Sequence, residues 1–369
     1  MGSDISGIDR EREARKDDHL RLAAAQRATA GAARSEFDDI EFLHHALAGI
    51  DLAAVDLGVE VDAWRWPAPF YVNGMTGGTE RTAKVNRELA IAARETGLAM
   101  GVGSVSIALD DPSTADGFRV VREENPDGIV FANLGAGRSA DDAVRAVDLL
   151  RADGLQLHLN AVQETAMPEG SRELSGWLRS VEGIVAASPV PVIVKEVGFG
   201  LSRRTLEQLR GLGVRIADVS GTGGTDFLRI ENARRTDAGY PFLAGFGQST
   251  AACLLDAPTD FPVLLASGGV RHPLDAVKSL ALGARAVGVA GVFLEAAVAG
   301  GADRLIPLIR TWLAQTAGLL SLLGAATPSA LTGTDVLLRG GLREFCTLRG
   351  IDAASFGSRS HRTTSREDA

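Results

Sequence analysis

The chain has 369 residues, 38 basic and 47 acidic side chains and a net charge of −9, with 45% apolar and 23% charged residues. That is the balance of a soluble globule; the acidic charge speaks against a nucleic-acid coat, and no stretch offers the ~20 clean apolar residues of a membrane span. Cys253 and Cys346 are the only cysteines. Two distant thiols exclude a disulfide framework and a zinc cluster, and with a charged N-terminus lacking an apolar core they point to the cytoplasm.

Residues 1–66 read as a polar, helical N-terminal extension, with FDDIEFLHHALAGIDLAAVDL (37–57) packing against the rest. Eight short apolar runs follow: FYVNGM (70–75), LAMGVGS (98–104), GIVFANL (128–134), GLQLHLN (154–160), PVIVKEV (191–197), IADVSG (216–221), FPVLLASGG (261–269) and AVGVAG (286–291). Each has the size and β-branched character of a buried strand. Helical patterns lie between them. Glu80–Glu95 carries apolar residues at helical spacing, and serine caps open Ser139–Arg151, Ser171–Ala187 and Ser202–Arg210. Pro273 opens another helix after Arg271 and His272.

Strand and helix alternate at roughly 30-residue spacing, the length of a βα unit. Eight such units predict an α/β fold, a (β/α)8 barrel over residues 67–302. Residues 222–258 make a long loop with a helical stretch, QSTAACLLDA (248–257). Residues 303–354 extend the last helix as a helical C-terminal extension, and 355–369 read as a disordered tail.

A barrel builds its active site at the carboxyl ends of its strands. Those ends read Asn73, Ser104, Asn133, Asn160, Lys195, Ser220, Ser267 and Ala290, a polar ring with one cation. In the fourth run Gln156, His158 and Asn160 alternate with leucines, so one whole strand face is polar. It can be a hydrogen-bond network inside the barrel or a contact surface for a polar ligand. Gln163 and Glu164 follow just beyond. Glu164 is either a solvated loop carboxylate or a Mg²⁺ ligand that leaves the other positions to water and phosphate. Lys195 is costly to bury without an anion; it can form a Schiff base, face a cofactor or sit in a structural ion pair.

Three glycine loops, SGTGGT (220–225), ASGGVR (266–271) and VAG (289–291), end the last three runs, and Arg271 adds a cation. Backbone N–H groups approach phosphate closely where glycine permits it, so the loops point to a phosphate-bearing cofactor. GAGRSA (135–140) matches a weak dinucleotide pattern but reads better as turn and cap chemistry. Arg15 and His19 share a helical face beside Lys16, either as a solvated helix end or as an anion site.

RKDDHL (15–20), FDDIEFLHHALAGID (37–51), MTGGT (75–79), LQLHLNAVQE (155–164), VKEVGFG (194–200), GGTDFLRIEN (223–232), ASGGVR (266–271) and ALGARAVGVAG (281–291) together resemble type 2 isopentenyl diphosphate isomerase. The resemblance runs from about residue 15 to 350 with the motifs in order. It implies a (β/α)8 barrel holding FMN, which interconverts isopentenyl and dimethylallyl diphosphate by a 1,3-allylic proton shift, with Mg²⁺ and with NADPH keeping the flavin reduced. It assigns Gly74, Met75, Thr76, Ser104, Asn133, Lys195, Ser220 and Thr225 to FMN, and Gly269, Val270, Arg271, Ala290 and Gly291 to its phosphate. Glu164 would hold Mg²⁺. Gln163 would lie by the allylic carbon chain, with His158 and Asn160 as further catalytic residues. Arg15, Lys16 and His19 would meet the diphosphate, with help from a neighbouring subunit of a homo-oligomer, a tetramer or an octamer. One departure stands out: many members read GSQ after the second strand, and here Val105 replaces the glutamine.

The strand ends supply no obvious acid–base pair, which fits a flavin carrying the proton transfers. Two other readings share the fold. One is an FMN-dependent barrel oxidoreductase of the hydroxy-acid oxidase or dehydrogenase type, which needs a His or Cys at the flavin and would have to use His158. The other is a flavin binder without turnover.

Overall fold

The computed structural model describes residues 18, 21–23, 25, 26, 35–75 and 77–361. Eight parallel strands close a barrel: β4 (Phe70–Val72), β5 (Ala99–Gly101), β6 (Val130–Gly135), β7 (Gly154–His158), β8 (Val192–Lys195), β9 (Ile216–Asp218), β10 (Val263–Ser267) and β11 (Ala286–Val289). They stand in chain order, with β11 pairing back onto β4. All eight expected runs are strands.

The helices between them start where the sequence offers a cap. Thr79 accepts from Thr82 N ahead of Glu80–Thr96, Ser139 from Asp142 N ahead of Ala140–Leu150, and Ser202 from Thr205 N ahead of Arg203–Gly211. In the long loop Ser249 caps Thr250–Asp256, and a further helix, Phe227–Arg234, precedes it. Ser171 is not a cap: its helix is Trp177–Ala187. The Ser171 N–H instead donates to Glu164 Oε2 at 2.7 Å, and its hydroxyl accepts from Glu173 N, which makes residues 171–173 a turn.

The two extensions differ from expectation. Residues 37–57 are not a helix; 3-10 turns Glu36–Asp39 and Leu52–Ala54 flank a strand, β1 (Ile40–Phe42). β1 pairs antiparallel with β12 (Val336–Leu338) from the C-terminal extension. A hairpin, β2 (Val59–Val61) and β3 (Trp64–Trp66), turns at Asp62, which takes the left-handed φ of 50°. Its VEV and WRW alternate with a period of two and turn Val59, Val61 and Trp66 inward, so strand geometry outweighs helix propensity. Trp64 and Trp66 meet Phe131 and Tyr71, and this apolar cluster with Ile193, Ile216 and Leu265 fills the barrel interior away from the strand carboxyl ends.

The last barrel helix, Gly291–Leu322, leaves helical geometry at Gly300 and Gly301 before running on into the C-terminal layer. The segment expected to be a disordered tail is ordered at its start. Residues Ala353–Ser358 form a 3-10 turn, Arg359 stacks over Phe356 and donates to Ala281 O, and Ser360 bonds Asp335. Among the described residues no helix is long and apolar enough to cross a membrane.

Candidate active site

A cavity of about 1700 Å³ opens at the carboxyl ends of the strands, lined by the ends of the barrel strands and the loops that follow. Asn73, Gly74 and Met75 enter it from β4, Ser104 from β5 and Asn133 from β6. His158, Asn160, Gln163 and Glu164 line one wall. Lys195, Ser220 and Thr225 follow, then Gly269, Val270 and Arg271, then Ala290 and Gly291. The sequence had marked all of these. Thr76, Arg15, Lys16 and His19 lie outside the described residues.

The wall after β7 is a connected amide–carboxylate network. The short helix Ala161–Ala166 starts at the strand end and carries Gln163 and Glu164. Asn160 Nδ2 donates to Gln163 Oε1 (3.3 Å) and to Glu164 Oε1 (3.1 Å). Gln163 Nε2 donates to Glu231 Oε1 at 2.9 Å. Glu231 is fully buried and is also paired to Arg234. A carboxylate only accepts, so Glu231 fixes which end of the Gln163 amide faces it. His158 Nδ1 meets Asn133 Oδ1 at 2.8 Å, and Asn133 Nδ2 donates to Gln156 Oε1 at 3.3 Å. The polar face of β7 is therefore both a network and part of the cavity wall.

The floor region holds two buried charged residues on neighbouring strands, and sequence reasoning found one of them. Lys195 is 5% exposed and Asp218 is fully buried. They are register partners across β8 and β9. Burial pulls Lys195 below the usual lysine range, while Asp218 and Glu196 pull it back. Glu196 turns away from the floor: its Oε2 accepts from the N–H groups of Val197, Gly198 and Phe199, at 2.6–2.8 Å. Burial nonetheless raises its carboxyl to about 7. The signal for Asp218 was an acid inside an apolar run, the same signal that marked Lys195.

The glycine loops after β9 and β10 interlock. A Cβ on Gly224 would lie 2.9 Å from Gly269 N. Thr250 Oγ1 donates to Ser267 O and Gly268 O and accepts from Gly221 N, tying both loops to one helix start. Ser220, at φ 36°, is held there by its N–H bond to Asp218 Oδ1. Arg271 faces the cavity, but its guanidinium is held by Asp38 and Asp275 through ion pairs of 2.6 and 2.8 Å. Val105 is fully buried in the apolar core and does not line the cavity, while Ser104 and Ser106 on either side of it do. Three cavity cations had not been singled out: Arg138, bonded to Asp110 and Ser106 O, Arg234, paired with Glu231 and Glu169, and the exposed Arg229, which makes no ion pair among the described residues.

An eight-stranded parallel barrel with interlocked glycine loops and a buried lysine at the strand carboxyl ends is the framework of a phosphate-binding (β/α)8 enzyme. Residues 159–338 match the FMN-dependent dehydrogenase family model. Isopentenyl-diphosphate delta-isomerase of Kitasatospora griseola is 58% identical over 348 residues, covering 94% of this chain and 95% of that one. The Nocardia farcinica protein of that name is 56% identical over 348 residues (94% and 96% covered), and the Staphylococcus haemolyticus one 44% over 346 (93% and 98%). The chain belongs to the isopentenyl-diphosphate delta-isomerase family, type 2. Its fold is shared with mandelate oxidase, at a TM-score of 0.60 and 18% identity over 88% of this chain and 91% of that one.

Proposed function

We propose that the protein interconverts isopentenyl and dimethylallyl diphosphate, using FMN, Mg²⁺ and NADPH as reductant. The observation that carries this reading is the shared cavity. Gln163 and Glu164, held by Asn160, Glu231 and Ser171, face the same space as Lys195 and the three glycine loops. The residues fit the cofactor. The interlocked loops offer backbone to a phosphate, and Ser104, Asn133, Ser220 and Thr225, with Gly74 and Met75, offer small or polar groups along the floor.

When bound, reduced FMN would supply the proton-transfer chemistry of the allylic shift. The protein's part is position and charge. Lys195, which lines the cavity, would set a cation against the flavin. Gln163, its amide fixed from both ends, orients the allylic carbon chain. His158, held by Asn133, borders the same wall. Glu164 fits Mg²⁺ as a single hard-oxygen ligand, the others being water and diphosphate oxygens. Arg15, Lys16 and His19 would meet the diphosphate in a homo-oligomer, and the enzyme would work in the reducing cytoplasm.

The test is an anaerobic assay of purified protein with isopentenyl diphosphate, Mg²⁺, FMN and NADPH. Dimethylallyl diphosphate should form, and omission of FMN, reductant or metal should each abolish it. Oxidation of a 2-hydroxy acid without isomerisation would favour the oxidoreductase reading instead.

A further inference from the structure

Lys16, Lys84, Lys195 and Lys278 are the four lysines of this chain. Lys195 alone of the described three stands in the barrel wall, and its Nζ donates to the Glu196 carbonyl at 2.9 Å. An ammonium carries three donors, so one carbonyl does not answer a buried positive charge. The ladder places two further groups beside it. Lys195 has His158 as its register partner on β7 and Asp218 on β9. Residues opposite one another on adjacent strands share a face.

Asp218 is built into that position. It accepts from Tyr71 Oη at 2.6 Å, from Ser267 Oγ at 2.7 and 3.0 Å, from Ser220 N at 3.1 Å and from Asn73 Nδ2 at 3.4 Å. Tyr71 lies on β4, with β10 and β11 between it and β9. It reaches across because β11 has Gly288 there: a Cβ would lie 2.6 Å from the Tyr71 hydroxyl. All four donors are neutral, so the carboxylate is solvated by the protein without being neutralised. Around Lys195 the other titratable groups are accounted for. Glu196 is bound by three backbone N–H groups, His158 is bonded to Asn133, and burial beside Asp218 raises Tyr71 well above its usual range.

We propose that Asp218 is a positioning residue: its buried carboxylate is the fixed counter-charge that holds the Lys195 ammonium ionised at the cavity floor. Asp218 does not line the cavity, whereas Lys195 does, so Asp218 acts through Lys195. The consequence for flavin binding rests on the proposed function. The pairing itself does not, and it is tested in cofactor-free protein.

Four lysines give a sparse spectrum. In apo-protein carrying lysine labelled at Cε, the Lys195 signal is identified by its loss in Lys195→Arg and titrated by NMR. Asp218→Asn should lower the Lys195 midpoint by about one pH unit or more while Lys84 stays put. Ser267→Ala, which removes a donor but keeps the charge, should leave Lys195 near its wild-type midpoint. With FMN added, Asp218→Asn should lose affinity roughly tenfold per unit above its lowered midpoint, where the wild type does not. Equal Lys195 midpoints in wild type and Asp218→Asn overturn the pairing. A shifted midpoint in protein that takes no FMN upholds the pairing and overturns the flavin reading. Should Asp218→Asn fail to fold, Lys195→Met decides. It loses stability at neutral pH if the ammonium balances Asp218, and gains stability if Lys195 is an unpaired buried charge.

Discussion

Glu164 keeps two hydrogen bonds within the protein and still borders the cavity, so its charge and its placement can be separated by substitution. Glu164→Gln preserves size and removes the charge. If Glu164 binds Mg²⁺, the metal concentration for half-maximal activity should rise on the order of tenfold, equivalent to ~1.4 kcal/mol, with partial rescue at high Mg²⁺ and FMN affinity unchanged. Wild-type activity indifferent to chelators would remove the metal role. Arg229 is the converse case, a cavity cation with no carboxylate of its own among the described residues. Charged hydrogen bonds are worth ~1.5–3 kcal/mol, so Arg229→Ala should raise the Michaelis constant for the diphosphate by roughly tenfold or more at constant flavin content and thermal midpoint. An unchanged constant would make Arg229 a solvated loop residue. At this scale the sequence was legible where a polar residue ends an apolar run, as at Asn73, Asn133 and Lys195. Asp218 went unread although an acid inside an apolar run is the signal that marked Lys195, and its partner Tyr71 lies 147 residues away; Glu231 escaped because Gln163, which ties it to the cavity wall, lies 68 residues away on another helix.

The barrel strands and the helices capped by Ser139, Ser202 and Ser249 were legible because each depends on its own few residues. Ser171 failed because a carboxylate from the preceding helix claimed its N–H. The turn after β8 carries a consequence for stability. Glu196 has its carboxyl raised from 4.5 to about 7 by burial, against the pull of three N–H groups and Lys195. A folded value above the unfolded one means the folded state holds its proton longer. The stability from this group is fully present below the unfolded value of 4.5 and is lost as pH rises through about 7. The shift corresponds to ~3 kcal/mol at most. Glu196→Gln should therefore flatten unfolding free energy against pH between those two values, relative to wild type. Parallel curves for the two proteins would show that Glu196 titrates normally in the fold.

At the level of the whole molecule, the two extensions are held to each other as well as to the barrel. Ile40, Glu41 and Phe42 pair with Leu338, Leu337 and Val336, and Leu43 N donates to Asp335 O. This contact joins segments far apart in the chain, which is why residues near 40 read as part of a helical extension: three residues carry no strand signal without their partner. Asp335 is the centre of the clasp. It is 2% exposed and accepts from His45 Nε2 at 3.1 Å, from Ser360 N at 2.8 Å and from Ser360 Oγ at 2.6 Å. Burial opposes its charge, but the Ser360 and His45 donors hold its carboxyl below the usual range. Asp335→Ala removes the acceptor that the Ser360 N–H, the Ser360 hydroxyl and His45 share. A buried donor left unpaired costs about 1–3 kcal/mol. The thermal midpoint should fall by a few degrees, and limited proteolysis should cut the C-terminal segment beyond β12 sooner than in wild type. Among the described residues no cavity-lining side chain bonds Asp335. FMN content per folded molecule should therefore stay at the wild-type level. A variant that keeps its thermal midpoint would mean that strand pairing alone joins the extensions, and one that sheds flavin while still folded would mean that the clasp supports the site.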